Sequence, residues 1–265
     1  MQIPRFEMSE QKWPTAITDI GQNKINIRGY PIEKLMGQAS FAQVAYLAIF
    51  GELPDEKTGR MIDAIIVSSV DHGVTPPSIL SALTVASTGA SLSASIAAGI
   101  MSINRFHGGA IENCMKMLTE AVRQQKAENK AIDQTAVQII REYRAAKKTI
   151  FGYGHRVHTR DPRTVRLLQL AEELGFYGPA VKMAVTIEKV IPDVIGRQLP
   201  LNVDGAIGAV LCELDVPPEL SNAFFILSRT AGIIAHVHEE RTRQKPMRKI
   251  DPAAWEYDGP TQREV

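Results

Sequence analysis

Apolar residues recur every three or four positions over most of this chain, and the breaks in that rhythm fall at glycine and proline. Phe41, Val44, Ala45, Leu47 and Ala48 form one such stripe, stopped by Gly51 and Pro54. The same spacing predicts helices over 56–69, 79–87, 92–103, 111–124, 132–146, 163–174, 180–190, 201–213 and 219–238. Strand-like alternation is confined to the start, where TAITDI and KINIRGYPI flank Gly21, Gln22 and Asn23 and read as a short β-hairpin. The expected fold class is therefore mainly α, a compact helical fold behind a short N-terminal hairpin. No repeat of fixed period and no Pro/Ser-rich linker divides the 265 residues, so any second domain is interleaved with the first.

From Gly73 to Ile103 no residue is charged, a run long enough to cross a bilayer. Pro76, Pro77 and Gly89 interrupt it, and small Ser, Thr, Ala and Gly outnumber large apolar residues, which favours closely packed helices over a membrane span. Such a surface also suits a symmetric helical interface, and a homodimer or higher homo-oligomer is expected. Composition narrows the classes further. Hydrophobic residues at 45%, charged residues at 22% and a net charge of +1 are those of a soluble protein without the basic face that nucleic acid requires. Cys114 and Cys212 lie far apart in apolar surroundings, which reads as buried thiols in a reducing compartment. The N-terminal residues lack a cationic start followed by an apolar run, and a cytoplasmic location is expected.

Candidate chemistry sits at the helix junctions. Asp71-His72-Gly73 follows a helix end, where His72 either faces a ligand or merely satisfies local carbonyls. Arg105-Phe106-His107-Gly108-Gly109 places His107 beside two glycines that let backbone approach a ligand. In Phe151-Gly152-Tyr153-Gly154-His155-Arg156 a glycine-rich loop precedes a histidine and an arginine, with Asp161-Pro162-Arg163 close behind. Its amides suit a nucleotide or phosphate and its arginines suit carboxylates, but no strand precedes it, so the dinucleotide-binding fingerprint is ruled out. Asp204 stands in the apolar run LPLNVDGAIGAVL, as either a general base of raised pKa or the N-cap of the following helix. Metal binding is the competing use of the six histidines; His155 with His158, and His236 with His238, lack helical ligand spacing, and no metal is expected.

Taken in order, these segments resemble the citrate synthase superfamily over nearly the whole chain: IRGYPIEKL and FAQVAYLAIFGELP, then DHG, HGGA, GYGHRV with DPR, NVD, and SRTAGIIAHV. The resemblance implies interleaved domains, residues 1–107 with 222–265 forming a large dimerisation domain and 108–221 a small domain that binds coenzyme A. It implies that His72, His155 and Arg229 hold oxaloacetate or citryl carboxylates, with Arg163 as a further carboxylate partner; Arg156 keeps the carboxylate role, and Gly152, Tyr153 and Gly154 the role of binding the nucleotide of coenzyme A, that their loop suggests. His107 is similar to the residue that hydrogen-bonds the thioester oxygen, and Asp204 to the group that moves a proton at the acetyl methyl carbon. The substrates implied are small molecules, citryl-CoA, acetyl-CoA and oxaloacetate, with coenzyme A as part of a substrate and no separate cofactor.

Departures from the family pattern bear on the direction of the reaction. The chain is short for a synthase, the shortfall lying between the helix ending near Ser69 and the motif at Asp71. LNVDGAIGAV continues with small apolar residues, and Arg105-Phe106 precedes the glycines; in these respects the chain is similar to citryl-CoA lyase and the lyase module of ATP-citrate lyase. His107 itself is synthase-like. Arg243-Gln244-Lys245-Pro246-Met247-Arg248 stands where family synthases carry an arginine that reaches the partner subunit's substrate, so Lys245 or Arg248 takes that role or the stretch is a solvated basic tail. The expected activity is cleavage of citryl-CoA to acetyl-CoA and oxaloacetate. Its alternatives are a short citrate or 2-methylcitrate synthase and a non-catalytic structural or regulatory homologue.

Overall fold

The computed structural model describes residues 14–155, 158–249, 251–254 and 256–264. Arg156, one of the candidate carboxylate partners, lies outside them. The chain divides into two compact units, residues 1–63 and 64–265.

In the first unit, β1 (Thr18–Gly21), β2 (Lys24–Ile27) and β3 (Tyr30–Pro31) form an antiparallel sheet in that order. The expected hairpin turns at Gln22 and Asn23, since Gly21 pairs with Lys24. The KINIRGYPI run, however, folds back on itself. Ile27 pairs with Tyr30, and Arg28 and Gly29 between them both adopt positive φ, at 50° and 89°, the conformation of a two-residue hairpin turn. Arg28 is held there because Nε and Nη2 donate to Ala48 O at 3.3 and 3.1 Å and Nη1 donates to Ala16 O. A short α1 (Ile32–Leu35) follows, then α2 (Phe41–Phe50). A reciprocal Ser40–Gln43 capping box opens α2, and Gly51 at φ 92° closes it. α3 (Glu56–Ser68) begins here and ends in the second unit.

In the second unit α4 (Pro77–Ser87), α5 (Leu92–Met101) and α11 (Ser221–Arg243) pack around Ile79, Ala82, Leu83, Ala86, Ile233 and Val237. Each fully buried large aliphatic side chain contributes about 1.5–3 kcal/mol. The uncharged run thus folds as two helices of 11 and 10 residues. Its small residues serve close approach: a Cβ at Gly99 would lie 2.9 Å from Ser78 O.

α6 (Ala110–Glu128), α7 (Ile132–Ala145), α8 (Pro162–Leu174), α9 (Pro179–Ile195) and α10 (Val203–Glu213) make the rest. α10 is buried continuously from Gly205 to Leu211 and packs against α6, α8 and α9, which accounts for its unbroken apolar sequence. α9 runs beyond the expected end at residue 190, and Pro192 is accommodated because it lies in the last turn, between buried Ile191 and Gly196 at φ 80°. There the missing amide costs one hydrogen bond rather than a helix.

Candidate active site

Five helices of the second unit border one cleft of about 530 Å³. Pro77, His107, Arg163 and Asp204 stand at or just before the N-termini of α4, α6, α8 and α10, while Phe225 and Arg229 face it from within α11. Helix N-termini present unsatisfied amides and positive dipole ends, so this convergence favours an anionic ligand.

His107 is fixed from three directions. Its backbone exchanges two 2.8 Å hydrogen bonds with Asn104, its ring meets Phe225 edge-on at 5.5 Å, and Nε2 lies 2.8 Å from Ser78 Oγ. Gly108 carries φ 87°, and a Cβ there would crowd Ile103 and Phe225. Burial, then the positive charge of Arg229, push the His107 pKa down to about 4, so the ring is neutral near pH 7. Nε2 thus pairs with the buried Ser78 hydroxyl, which can donate or accept there; with Ser78 donating, the ring proton rests on Nδ1 and His107 presents a neutral N–H to the cleft.

Asp204 occupies the first turn of α10, and the helix cap falls to Asn202, whose Oδ1 accepts the Gly205 amide at 3.0 Å. The Asp204 carboxyl is thus released from capping duty. Burial raises its pKa to about 6, against the opposing pull of Arg163 and Arg229. Asn202 also donates from its side chain to Gly154 O at 2.8 Å and from its backbone amide to Gly152 O, which ties the glycine loop to the start of α10. A Cβ at Gly205 would collide with Gly152 O, so this junction requires glycine.

Arg163 and Arg229 supply the cations. Asp161 caps α8 and grips Arg163 by a fork, accepting from Nε at 3.0 Å and Nη2 at 2.7 Å. Arg229 is 2% exposed, donates from Nε to Ser69 O at 3.0 Å and lies over the Phe225 ring. Its buried Nη1 has no hydrogen-bond partner among the described residues. An unpaired guanidinium nitrogen at a cleft wall calls for a ligand carboxylate.

Two further histidines complete the cleft, with ring centroids of His72 and His155 5.7 Å apart. Burial is the largest cause lowering both pKa values, reinforced at His72 by Arg163 and at His155 by His158. His155 Nδ1 accepts the His158 amide at 2.9 Å, so its ring proton sits on Nε2.

Of the residues singled out in the sequence, His72, His107, Gly154, His155, Arg163, Asp204 and Arg229 meet in this cleft. Tyr153 is turned away and buried, its hydroxyl donating to Ala184 O at 2.9 Å, and Gly152 lies against Cys114 and Gly205 behind the loop. Arg248 forms a forked ion pair with buried Glu240, and Lys245 is exposed. Ser78, Asp161 and Asn202 carry no functional reading in the sequence alone. The Asn202 cap is legible as an Asn three residues before a glycine in the opening helix turn; Ser78 has no local signal beyond its place after two prolines.

Fold and site together define a protein of the citrate synthase family. The family profile described as "Citrate synthase, C-terminal domain" matches residues 11–60 and 54–250, and the chain belongs to that family. Among solved structures it is similar to citryl-CoA lyase from Hydrogenobacter thermophilus, at 41% identity and a TM-score of 0.86, covering 96% of this chain and 97% of that one. ATP citrate lyase from Methanothrix soehngenii, solved with citrate and coenzyme A, shares the fold at a TM-score of 0.81 and 21% identity, over 99% of this chain and 46% of that one. Among curated relatives, the citrate synthase of Synechocystis sp. is 31% identical over 202 residues, 72% of this chain and 47% of the relative. The chain spans about half the length of the curated relatives it matches.

Proposed function

We propose that this protein is a citryl-CoA lyase that cleaves citryl-CoA to acetyl-CoA and oxaloacetate. The observation that carries the reading is the pairing, in one cleft, of a neutral His107 donor with an Asp204 carboxyl whose pKa is about 6. Carbon–carbon cleavage that expels an enolate needs a donor on the thioester oxygen and an acid at the carbon. Likeness to the Hydrogenobacter lyase over almost the full length of both chains supports the lyase direction.

In this reading the carboxylates of citryl-CoA lie against Arg163 and Arg229. His72, neutral and with its ring facing the cleft, takes the tertiary hydroxyl proton, while His155 donates from Nε2 to the same oxygen. The fixed tautomer of His155 suits donation and leaves the base role to His72. The C–O bond becomes a carbonyl as the bond to the acetyl methylene breaks, and the released electron pair forms the enolate held by His107 Nδ1–H. Protonated Asp204 then gives its proton to the enolate carbon, yielding acetyl-CoA. Gly154 borders the thioester arm, with Gly152 and Tyr153 supporting its loop.

Residues 108–221 act as the smaller, CoA-binding domain and 1–107 with 222–265 as the larger one. The protein works in the cytoplasm as a homodimer, with exposed Leu80 and Met101 offering an apolar face to a second copy. Lys245 or Arg248 then reaches toward the partner subunit's substrate.

Condensation is the second reading, favoured by the Synechocystis relative. Purified protein supplied with citryl-CoA distinguishes them. Acetyl-CoA and oxaloacetate are the expected products. Free coenzyme A with citrate would replace the lyase by a synthase, and no turnover would leave a non-catalytic homologue.

A further inference from the structure

α11 grips the segment carrying His72 at successive points along one helix face. The Ser228 hydroxyl donates to Ile66 O, and Arg229 Nε donates to Ser69 O. A Cβ at Gly232 would collide with Val70 O, so the helix and the segment touch there backbone to backbone. One turn further on, His236 Nε2 lies 3.0 Å from Asp71 Oδ1. Positions 228, 229, 232 and 236 share a face by helical spacing.

Asp71 is braced on both sides. Its second oxygen accepts the Gly73 amide at 3.0 Å, an Asx turn that closes around His72. The same carboxylate also acts on Arg229 electrostatically. Neither Asp71 nor His236 lines the catalytic cleft; the two face a separate depression with Ala235 and Glu239. A histidine 14% exposed, spent on a carboxylate outside the cleft, has no direct access to substrate.

We propose that Asp71 and His236 are positioning residues: the His236–Asp71 hydrogen bond holds the Asp71-His72-Gly73 turn so that the His72 ring keeps its place opposite Arg229. Through α11, the helix that binds the ligand carboxylate also sets the base. The proposal rests on the assignment of His72 as the base. A shift of about 1 Å at a reacting group costs on the order of 100-fold in rate, so an aligned turn is worth that much.

His236→Ala removes the donor, and His236→Gln restores it, because the glutamine amide nitrogen occupies the position of Nε2. With the full chain and citryl-CoA, His236→Ala is expected to lower kcat about 10–100-fold with KM moving less than about threefold, and His236→Gln to stay within about threefold of the parent. Wild-type kcat in a folded His236→Ala, or equal loss in both variants, would overturn the proposal. Should His236→Ala not fold, His236→Leu fills the site without a donor and is read by the same criteria. Hydrogen exchange of the Gly73 amide gives a second readout independent of turnover: about tenfold faster in the donorless variant and unchanged in His236→Gln. Equal protection in both also overturns the proposal. If the parent protein fails to cleave citryl-CoA, the lyase reading falls, while Gly73 exchange still decides whether His236 holds the turn.

Discussion

Asp204→Asn should make this protein more stable at neutral pH while disabling it. The carboxyl has a pKa of about 6 in the folded protein against a reference value of 3.8, so the native state binds its proton more tightly than the unfolded chain does. Stability from this group is fully present below the unfolded pKa and is lost as pH rises through about 6. Above that, holding Asp204 ionised costs roughly 3 kcal/mol, at 1.36 kcal/mol per pKa unit. Asparagine cannot ionise and escapes that cost, but its buried amide must find new hydrogen-bond partners or forfeit about 1–3 kcal/mol. That penalty is independent of pH. Urea unfolding of both proteins at matched concentration, at about pH 4 and about pH 8, separates the two contributions. The stability of Asp204→Asn relative to the parent should improve by roughly 2–3 kcal/mol between those pH values. A difference that stays flat with pH, or moves the other way, would refute the claim that Asp204 is ionised against its surroundings.

The role proposed for the same carboxyl predicts a pH dependence. With protonated Asp204 as the acid of cleavage, kcat/KM for citryl-CoA should fall as pH rises through about 6, whereas condensation with the carboxylate as base should rise there; a cleavage rate that climbs above pH 6 contradicts the proposed role. Arg229→Lys keeps the charge but loses the fork and the bond to Ser69 O, and should raise KM for citryl-CoA about 10–100-fold, the equivalent of roughly 1.4–2.7 kcal/mol. An unchanged KM would remove Arg229 from carboxylate binding. Gly232→Ala drives a methyl group into Val70 O and should cost about 1–3 kcal/mol in thermal or urea unfolding and lower kcat as well, because the displaced segment carries His72; a variant with parental melting temperature and turnover would show that the close approach is dispensable.

Most of the helical architecture is legible in the sequence because the signals that write it are local. The stripe of α2 and its Gly51 stop are short-range signals that lie where the spacing predicts, and the Ser40 cap that the structure adds is local too. The KINIRGYPI run reads as one strand yet folds as two, because its turn depends on Arg28 reaching Ala48 O, a contact no local pattern reveals. The site divides the same way. Glycine-flanked His107 and His155 announce themselves, as does an acid in an apolar run. The hydroxyl that orients His107 and the histidine that braces Asp71 come from distant segments, and neither residue type is unusual where it stands. Arg248 illustrates the converse: a basic residue in a basic stretch, it lies against Glu240 because α11 carries a buried acid that only the folded chain brings near.

The cleft where four helices begin has a consequence for the life of the protein as well as for its chemistry. Burial first, then the charge of Arg163, lowers the Arg229 pKa against the pull of Asp71 and Asp204, so two cations face a cleft that also receives four positive helix ends. Asp161 pairs with Arg163, whereas Arg229 Nη1 has no hydrogen-bond partner among the described residues, so the cation left to a ligand is Arg229. An anionic ligand that pairs with it would bind the folded chain and not the unfolded one, and so would stabilise the fold. Ligand-bound molecules would then open less often than ligand-free ones and resist proteolysis for longer.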